Sequence, residues 1–174
     1  MSLTGKTSII TGGSDGIGRA IAAKLASEGA HVVICARNAK KLESVAEDIR
    51  AAGGSVETRV QDVADTDSFA AMIEDVASSN GLDILVNNAA HVGFGSVADA
   101  SLEDFRENFR VNVDATYAGM QAAIKAMSDN GGSIINISSI NGDRAMPGMA
   151  GYSSSKAALL HLTRLASMET AGQN

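Results

Sequence analysis

Tyr152 and Lys156 stand four residues apart in the run Tyr-Ser-Ser-Ser-Lys, thirteen residues beyond Ser139. At about 3.6 residues per helical turn, positions so spaced share one face of a helix, which lets the phenol and the ammonium point into one cleft. A free phenol, with a pKa of about 10, is a poor base at neutral pH. A cation beside it favours the phenolate, and a hydroxyl donor such as Ser139 favours it further. The three side chains could therefore pass a proton to or from a substrate oxygen.

A proton shuttle of this kind suits a redox reaction, and the chain opens with a loop that could hold the electron carrier. Thr11-Gly12-Gly13-Ser14-Asp15-Gly16-Ile17-Gly18 follows an apolar run and leads into an amphipathic stretch. Small residues there let the backbone approach a pyrophosphate, and the positive end of the helix dipole faces its charge. The spacing is Gly-x-x-x-Gly-x-Gly rather than the commoner Gly-x-Gly-x-x-Gly, and taken alone the loop could be a turn with no ligand. About twenty residues on, where an acid would bond a ribose 2′-hydroxyl, the sequence reads Cys35-Ala36-Arg37-Asn38. No acid is present, and Arg37 could pair with a 2′-phosphate, which favours NADP over NAD. Asp15 weighs the other way, and Arg37 as a solvated arginine at a strand end is a comparable alternative. Asp62, with Val63 beside it, is placed to accept from an adenine amino group, or only to turn a strand end.

These residues must be positioned by a scaffold, and the pattern of the chain describes one. Short apolar runs over 7–11, 31–36, 56–61, 84–87 and 133–138 alternate with helical patterns over 16–27, 39–52, 67–79, 101–128 and 152–171. Such alternation predicts an α/β fold of repeated βαβ units with a parallel sheet, as a single domain over 1–174. Gly29, Gly53 and Gly81 close the first three helices, and Asp65 and Ser101 are candidate N-caps. The apolar last helix calls for a cover, and a βαβ pattern calls for another strand after it. A fragment, or a partner that supplies the cover, would explain both.

Composition narrows the partners. A net charge of −6 without a basic run argues against nucleic acid. No apolar run approaches membrane-spanning length, and no leader pattern opens the chain, so a soluble cytoplasmic protein is expected. The single cysteine, Cys35, excludes an internal disulfide and reads as a small buried thiol. His31, His91 and His161 are too scattered for metal-ligand spacing, so no metal is expected. His91 and Phe94 could line a substrate cleft with the segment 140–151, whose Met146 and Met149 would make it apolar and whose Arg144 could meet an acid or face water.

Two further motifs complete the set. Asn87-Asn88-Ala89-Ala90 follows the fourth strand with small residues that let backbone pass close to a ligand, and Val111-Asn112-Val113 sets a polar residue in an apolar helix face. Taken together, the glycine loop, Asp62-Val63, Asn87-Asn88-Ala89-Ala90, Asn112, Ile137-Ser138-Ser139 and Tyr152-x-x-x-Lys156 resemble the short-chain dehydrogenase/reductase family in order and interval, over essentially the whole chain. The resemblance implies an oxidoreductase that moves hydride between NADP(H), with NAD possible, and a small ketone or alcohol of 3-oxoacyl or secondary-alcohol type. It implies a Rossmann-type fold, a doubly wound parallel sheet in three α/β/α layers, with catalytic roles for Asn112, Ser139, Tyr152 and Lys156. Tyr152 would be the general acid and base, Ser139 would orient the carbonyl, Lys156 would hold the nicotinamide ribose, and Asn112 would support a relay water. Ser139 is preferred to Ser138 on the family's interval to the tyrosine. Cofactor contacts are implied for Gly12, Ser14, Asp15, Gly16, Ile17, Gly18, Arg37, Asp62, Val63, Asn88, Ala89 and Ala90, with Tyr152 and Lys156. Ala90 departs from the family's usual glycine. Members typically continue through two more strands and a substrate-covering segment, so the rival expectation is a truncated nucleotide-binding protein with impaired catalysis. Helices 101–128 and 152–171 are implied to pair with their counterparts in a homodimer or homotetramer.

Overall fold

Five short apolar runs become five parallel strands, because each can bury residues on both faces only when helices lie above and below the sheet. The computed structural model describes residues 2–172. Its strands are β1 (Thr7–Thr11), β2 (His31–Ala36), β3 (Ser55–Val60), β4 (Ile84–Asn87) and β5 (Ser133–Asn136), hydrogen-bonded in the order β3-β2-β1-β4-β5. Every pairing is parallel. The chain winds outward from β1 to β3 and then returns to β4 on the other side of β1. That reversal leaves a crevice at the carboxyl ends of β1 and β4, the place where open α/β sheets bind ligands.

Alternate residues of each strand feed two cores. Ile9, Val33, Cys35 and Leu85 face α3 (Thr66–Asn80) and α5 (Ala115–Ala126), where they meet Phe69, Ile73, Val76 and Ala123. Ile10, Val32, Ile34 and Val86 face α1 (Gly16–Ser27) and α2 (Ala39–Ala51), against Ala22, Leu42, Val45 and Ile49. The result is the parallel βαβ sheet predicted from the alternation, in the three-layer Rossmann-type arrangement that the resemblance implies. The last helix, α6 (Ala150–Glu169), packs on α4 (Leu102–Phe109) and on the turn that follows it.

The helix boundaries have the chemistry that their sequences suggest. Asp65 accepts from the Ser68 amide at 3.2 Å, and Ser101 accepts from the Asp104 amide at 3.0 Å. Gly29, Gly53 and Gly81 all have positive φ, as helix-closing glycines should. One prediction needs correction: the stretch 101–128 is not a single α-helix. Residues Arg110–Asp114 form a π turn, in which the Ala115 amide reaches back to the Arg110 carbonyl, and α-helix resumes at Ala115. The extra residue rotates the following face and turns Asn112 fully inward. Smaller corrections are that β5 ends at Asn136, where the chain leaves the edge of the sheet, and that α6 begins two residues before Tyr152.

Candidate active site

The glycine loop is tied down by the residue that ends β1. The Thr11 hydroxyl accepts from the amides of both Asn88 and Ala89 at 2.9 Å, and the Asn88 side chain donates to the Thr11 carbonyl at 2.9 Å. Gly12 has φ 66°, and a Cβ there would meet the Asn88 amide at 2.8 Å. A Cβ on Gly18 would run into the Gly12 carbonyl and the same amide. The loop thus holds its shape through contacts that only glycine permits.

Beside it opens a cleft of about 320 Å³. Of the predicted cofactor residues, Gly12, Ser14, Arg37, Asp62, Val63, Ala89 and Ala90 line it. Asn88 supports it through Thr11, and Gly16 and Gly18 form the adjoining start of α1, where Ile17 is exposed. Asp15 caps α1, accepting from the Gly16 amide at 2.8 Å, and its other oxygen pairs with the Lys41 ammonium at 2.9 Å. The hydrogen bond from Lys41, aided by the Gly16 N–H, holds the Asp15 carboxyl below the usual carboxylate range. Lys41 also lines the cleft, next to Arg37, and sequence reasoning missed it. The available signal was Asn38, whose side chain accepts from the Lys41 amide at 3.0 Å and so starts α2 with that lysine in its first turn. Asp62 accepts from the Ala64 amide at 3.0 Å, which fixes its carboxylate at the cleft wall. Cys35 is fully buried and its thiol is pushed up to about 12, so it is an inert thiol. His91, expected beside Phe94, lines this cleft instead.

Ser139, Tyr152 and Lys156, the residues expected to handle the proton, come from the segment after β5 and from α6. Lys156 is 3% exposed, donates to the Ile137 carbonyl at 2.7 Å, and lies with its ammonium 5.8 Å from the centre of the Tyr152 ring. Burial pushes the ammonium down from 10.5 to about 8. Of the two adjacent serines, Ser138 donates to the Lys156 carbonyl at 3.3 Å and so fastens the segment after β5 to α6. Ser139 caps a short 3-10 turn, accepting from the Asn141 amide at 3.2 Å, which leaves its hydroxyl proton free. Ser139 and Tyr152 share no hydrogen bond, and among the described residues the Tyr152 hydroxyl has no protein partner. The loop carrying Phe94 is tied to the segment ahead of α6, because the Gly95 amide donates to Gly148 O at 2.8 Å and Gly95 O accepts from Ala150 N at 3.2 Å. Phe94, Ile140 and Met146 are exposed on these segments.

Asn112 is engaged entirely within the protein. Its carbonyl oxygen accepts from the His91 amide at 2.8 Å, and its NH2 group donates to His91 O and to Ser155 Oγ, each at 2.9 Å. It clamps the cleft wall to α6. Among the described residues no helix is long and apolar enough to cross a membrane, and no group of three metal-ligating side chains gathers.

A family-wide pattern described as short chain dehydrogenase matches residues 6–174. The chain belongs to the short chain dehydrogenase family. Among its relatives, the 3-oxoacyl-(acyl-carrier-protein) reductase of Rickettsia conorii is 39% identical over 98% of this chain and 69% of its own length. A crystal structure from Beutenbergia cavernae with NADP bound at low occupancy is 37% identical, with a TM-score of 0.94 over 98% of this chain and 69% of that one. NAD+-bound xylitol dehydrogenase is 30% identical, with a TM-score of 0.95 over 100% of this chain and 68% of that one. The chain spans 61% to 69% of the length of the first curated relatives it matches.

Proposed function

We propose that this short chain dehydrogenase interconverts a ketone or aldehyde and an alcohol with NADP(H), Tyr152 carrying the proton. The observation that supports this most strongly is that the Tyr152–Lys156 pair on α6 is bonded, through Ser155 and Asn112, to His91 in the wall of the cleft that the glycine loop, Arg37 and Asp62 line. The glycine loop suits a dinucleotide, since the close contacts of Gly12 and Gly18 leave backbone, not side chain, facing the cleft. Gly12 and Ser14 would hold the pyrophosphate, Asp62 and Val63 the adenine, and Ala89 and Ala90 the adjoining ribose. Bound there, a nicotinamide dinucleotide would supply or accept hydride.

Tyr152 gives the proton to the substrate oxygen in reduction and takes it back in oxidation, while the free hydroxyl proton of Ser139 holds that oxygen in place. Lys156 keeps a positive charge near the phenol below about pH 8, where its ammonium titrates. Phe94, Ile140 and Met146 favour a substrate with an apolar body, of 3-oxoacyl or secondary-alcohol type. Arg37 and Lys41 together favour the 2′-phosphate of NADP over the free hydroxyl of NAD, and Asp15 offsets part of Lys41's charge. Initial rates with NADPH and NADH against a panel of ketones test the reading. A kcat/KM ratio of about tenfold or more for NADPH is expected. Equal efficiency, or a preference for NADH, would contradict the nucleotide assignment; no turnover of any ketone would contradict the activity.

A further inference from the structure

Three consecutive serines separate Tyr152 from Lys156, and the fold treats them differently. Ser154 is exposed, whereas Ser155 is 0% exposed and sits in a continuous line of hydrogen bonds. Ser155 Oγ accepts from Asn112 Nδ2 at 2.9 Å and donates to the Tyr152 carbonyl at 2.7 Å. A serine bonding back within its own helix is common and by itself means little. Here the same oxygen also receives a buried amide from another element, and that amide is anchored to the backbone of His91 in the wall of the nucleotide cleft.

We propose that Ser155 is a positioning residue: it joins the Asn112 clamp to the backbone of Tyr152 and so sets where the phenol stands relative to the cleft. The π turn at Arg110–Asp114 is what makes the line possible, because it turns Asn112 inward to a point where its amide reaches α6. Removing the Ser155 hydroxyl leaves the Asn112 clamp on His91 intact but uncouples it from the tyrosine. Nucleotide binding then survives while the geometry of proton transfer does not.

This inference rests on the oxidoreductase reading for its effect on turnover, and its test therefore has a second arm. In the first arm, Ser155→Ala lowers kcat on the order of tenfold to a hundredfold, with the NADPH dissociation constant changed by less than about twofold. Ser155→Thr, which keeps the hydroxyl, recovers most of the loss, and Ser154→Ala matches the parent. The second arm uses the two tyrosines and absent tryptophan of the chain: in a Tyr117→Phe background, tyrosine emission comes from Tyr152 alone. Ser155→Ala is expected to lower its fluorescence anisotropy while the melting transition stays cooperative. An alanine variant with unchanged anisotropy would overturn the proposal, as would unchanged kcat in an active protein or a parallel loss of kcat and nucleotide binding. If the parent turns over no ketone, the activity reading fails and the anisotropy still decides the role of Ser155. If the threonine is too large for the site, the alanine arms decide alone.

Discussion

The two ends of this sheet are held together by different forces. On the side of β1, β2, α1 and α2, Ile10, Val32, Ile34, Leu42, Val45 and Ile49 close the layer by apolar burial, which is strong but not directional. On the side of β4, β5 and α6, polar side chains make the critical contacts. Asn87 donates to Asn136 at 2.9 Å, Asn136 donates to Thr163 at 2.9 Å, and Lys156 donates to Ile137 O at 2.7 Å. Among the described residues β5 pairs only with β4, and its Ile135 is half exposed. A dinucleotide site needs a crevice of fixed shape, which this packing provides together with the Thr11–Asn88 bonds that tie down the glycine loop. Proton transfer needs individual atoms in fixed directions, and hydrogen bonds provide that.

Substitutions on the two sides should therefore fail in different ways. The largest effect is expected at the glycine loop: Gly18→Val pushes a side chain into the Gly12 carbonyl and the Asn88 amide. Nucleotide affinity should fall on the order of a hundredfold or more, about 2.7 kcal/mol, read by calorimetric titration. A variant that binds normally would show that the close contact is dispensable.

On the other side, Lys156 gives stability a pH dependence of known sign. Its ammonium titrates at about 8 in the fold, below the ordinary value of about 10.4, so between those values the unfolded chain holds a proton that the folded chain has released. Stability relative to Lys156→Met should rise through that window and be lost as pH falls through about 8, by about 2–3 kcal/mol in total. Denaturant midpoints of the two proteins measured across the window check this, and parallel curves would contradict it.

The smallest effect is expected at the end of the asparagine ladder. Thr163→Val keeps the shape but deprives Asn136 of an acceptor, at a cost of about 1–2 kcal/mol in unfolding free energy. A loss confined to tenths of a kcal/mol would mean that the ladder is solvated rather than structural.

How much of this was legible in the sequence follows the same division. The five strands, the helix-closing glycines and the caps Asp65 and Ser101 were readable, because apolar alternation and turn chemistry are local. The glycine loop and the Tyr152–Lys156 pair were readable from type and spacing. The π turn was not, since one extra residue in a long amphipathic stretch leaves the pattern on either side helical. Lys41 was missed because its partner Asp15 lies 26 residues away, across α1 and β2. Ser155 was hidden among three serines that differ only in which way the helix turns them. The choice of Ser139 over Ser138 rested on the family interval, because two adjacent serines carry no local signal that separates them.

The central claim is that Tyr152 moves the proton while the cleft beside it holds the dinucleotide. Tyr152→Phe removes one oxygen that has no partner among the described residues and touches none of the cleft contacts described above. NADPH binding and ketone turnover, measured side by side on this variant and its parent, test it most directly. Turnover should fall at least about a hundredfold, with NADPH affinity within about twofold of the parent. Retained turnover, or a joint loss of binding and turnover in a folded variant, would contradict the assignment.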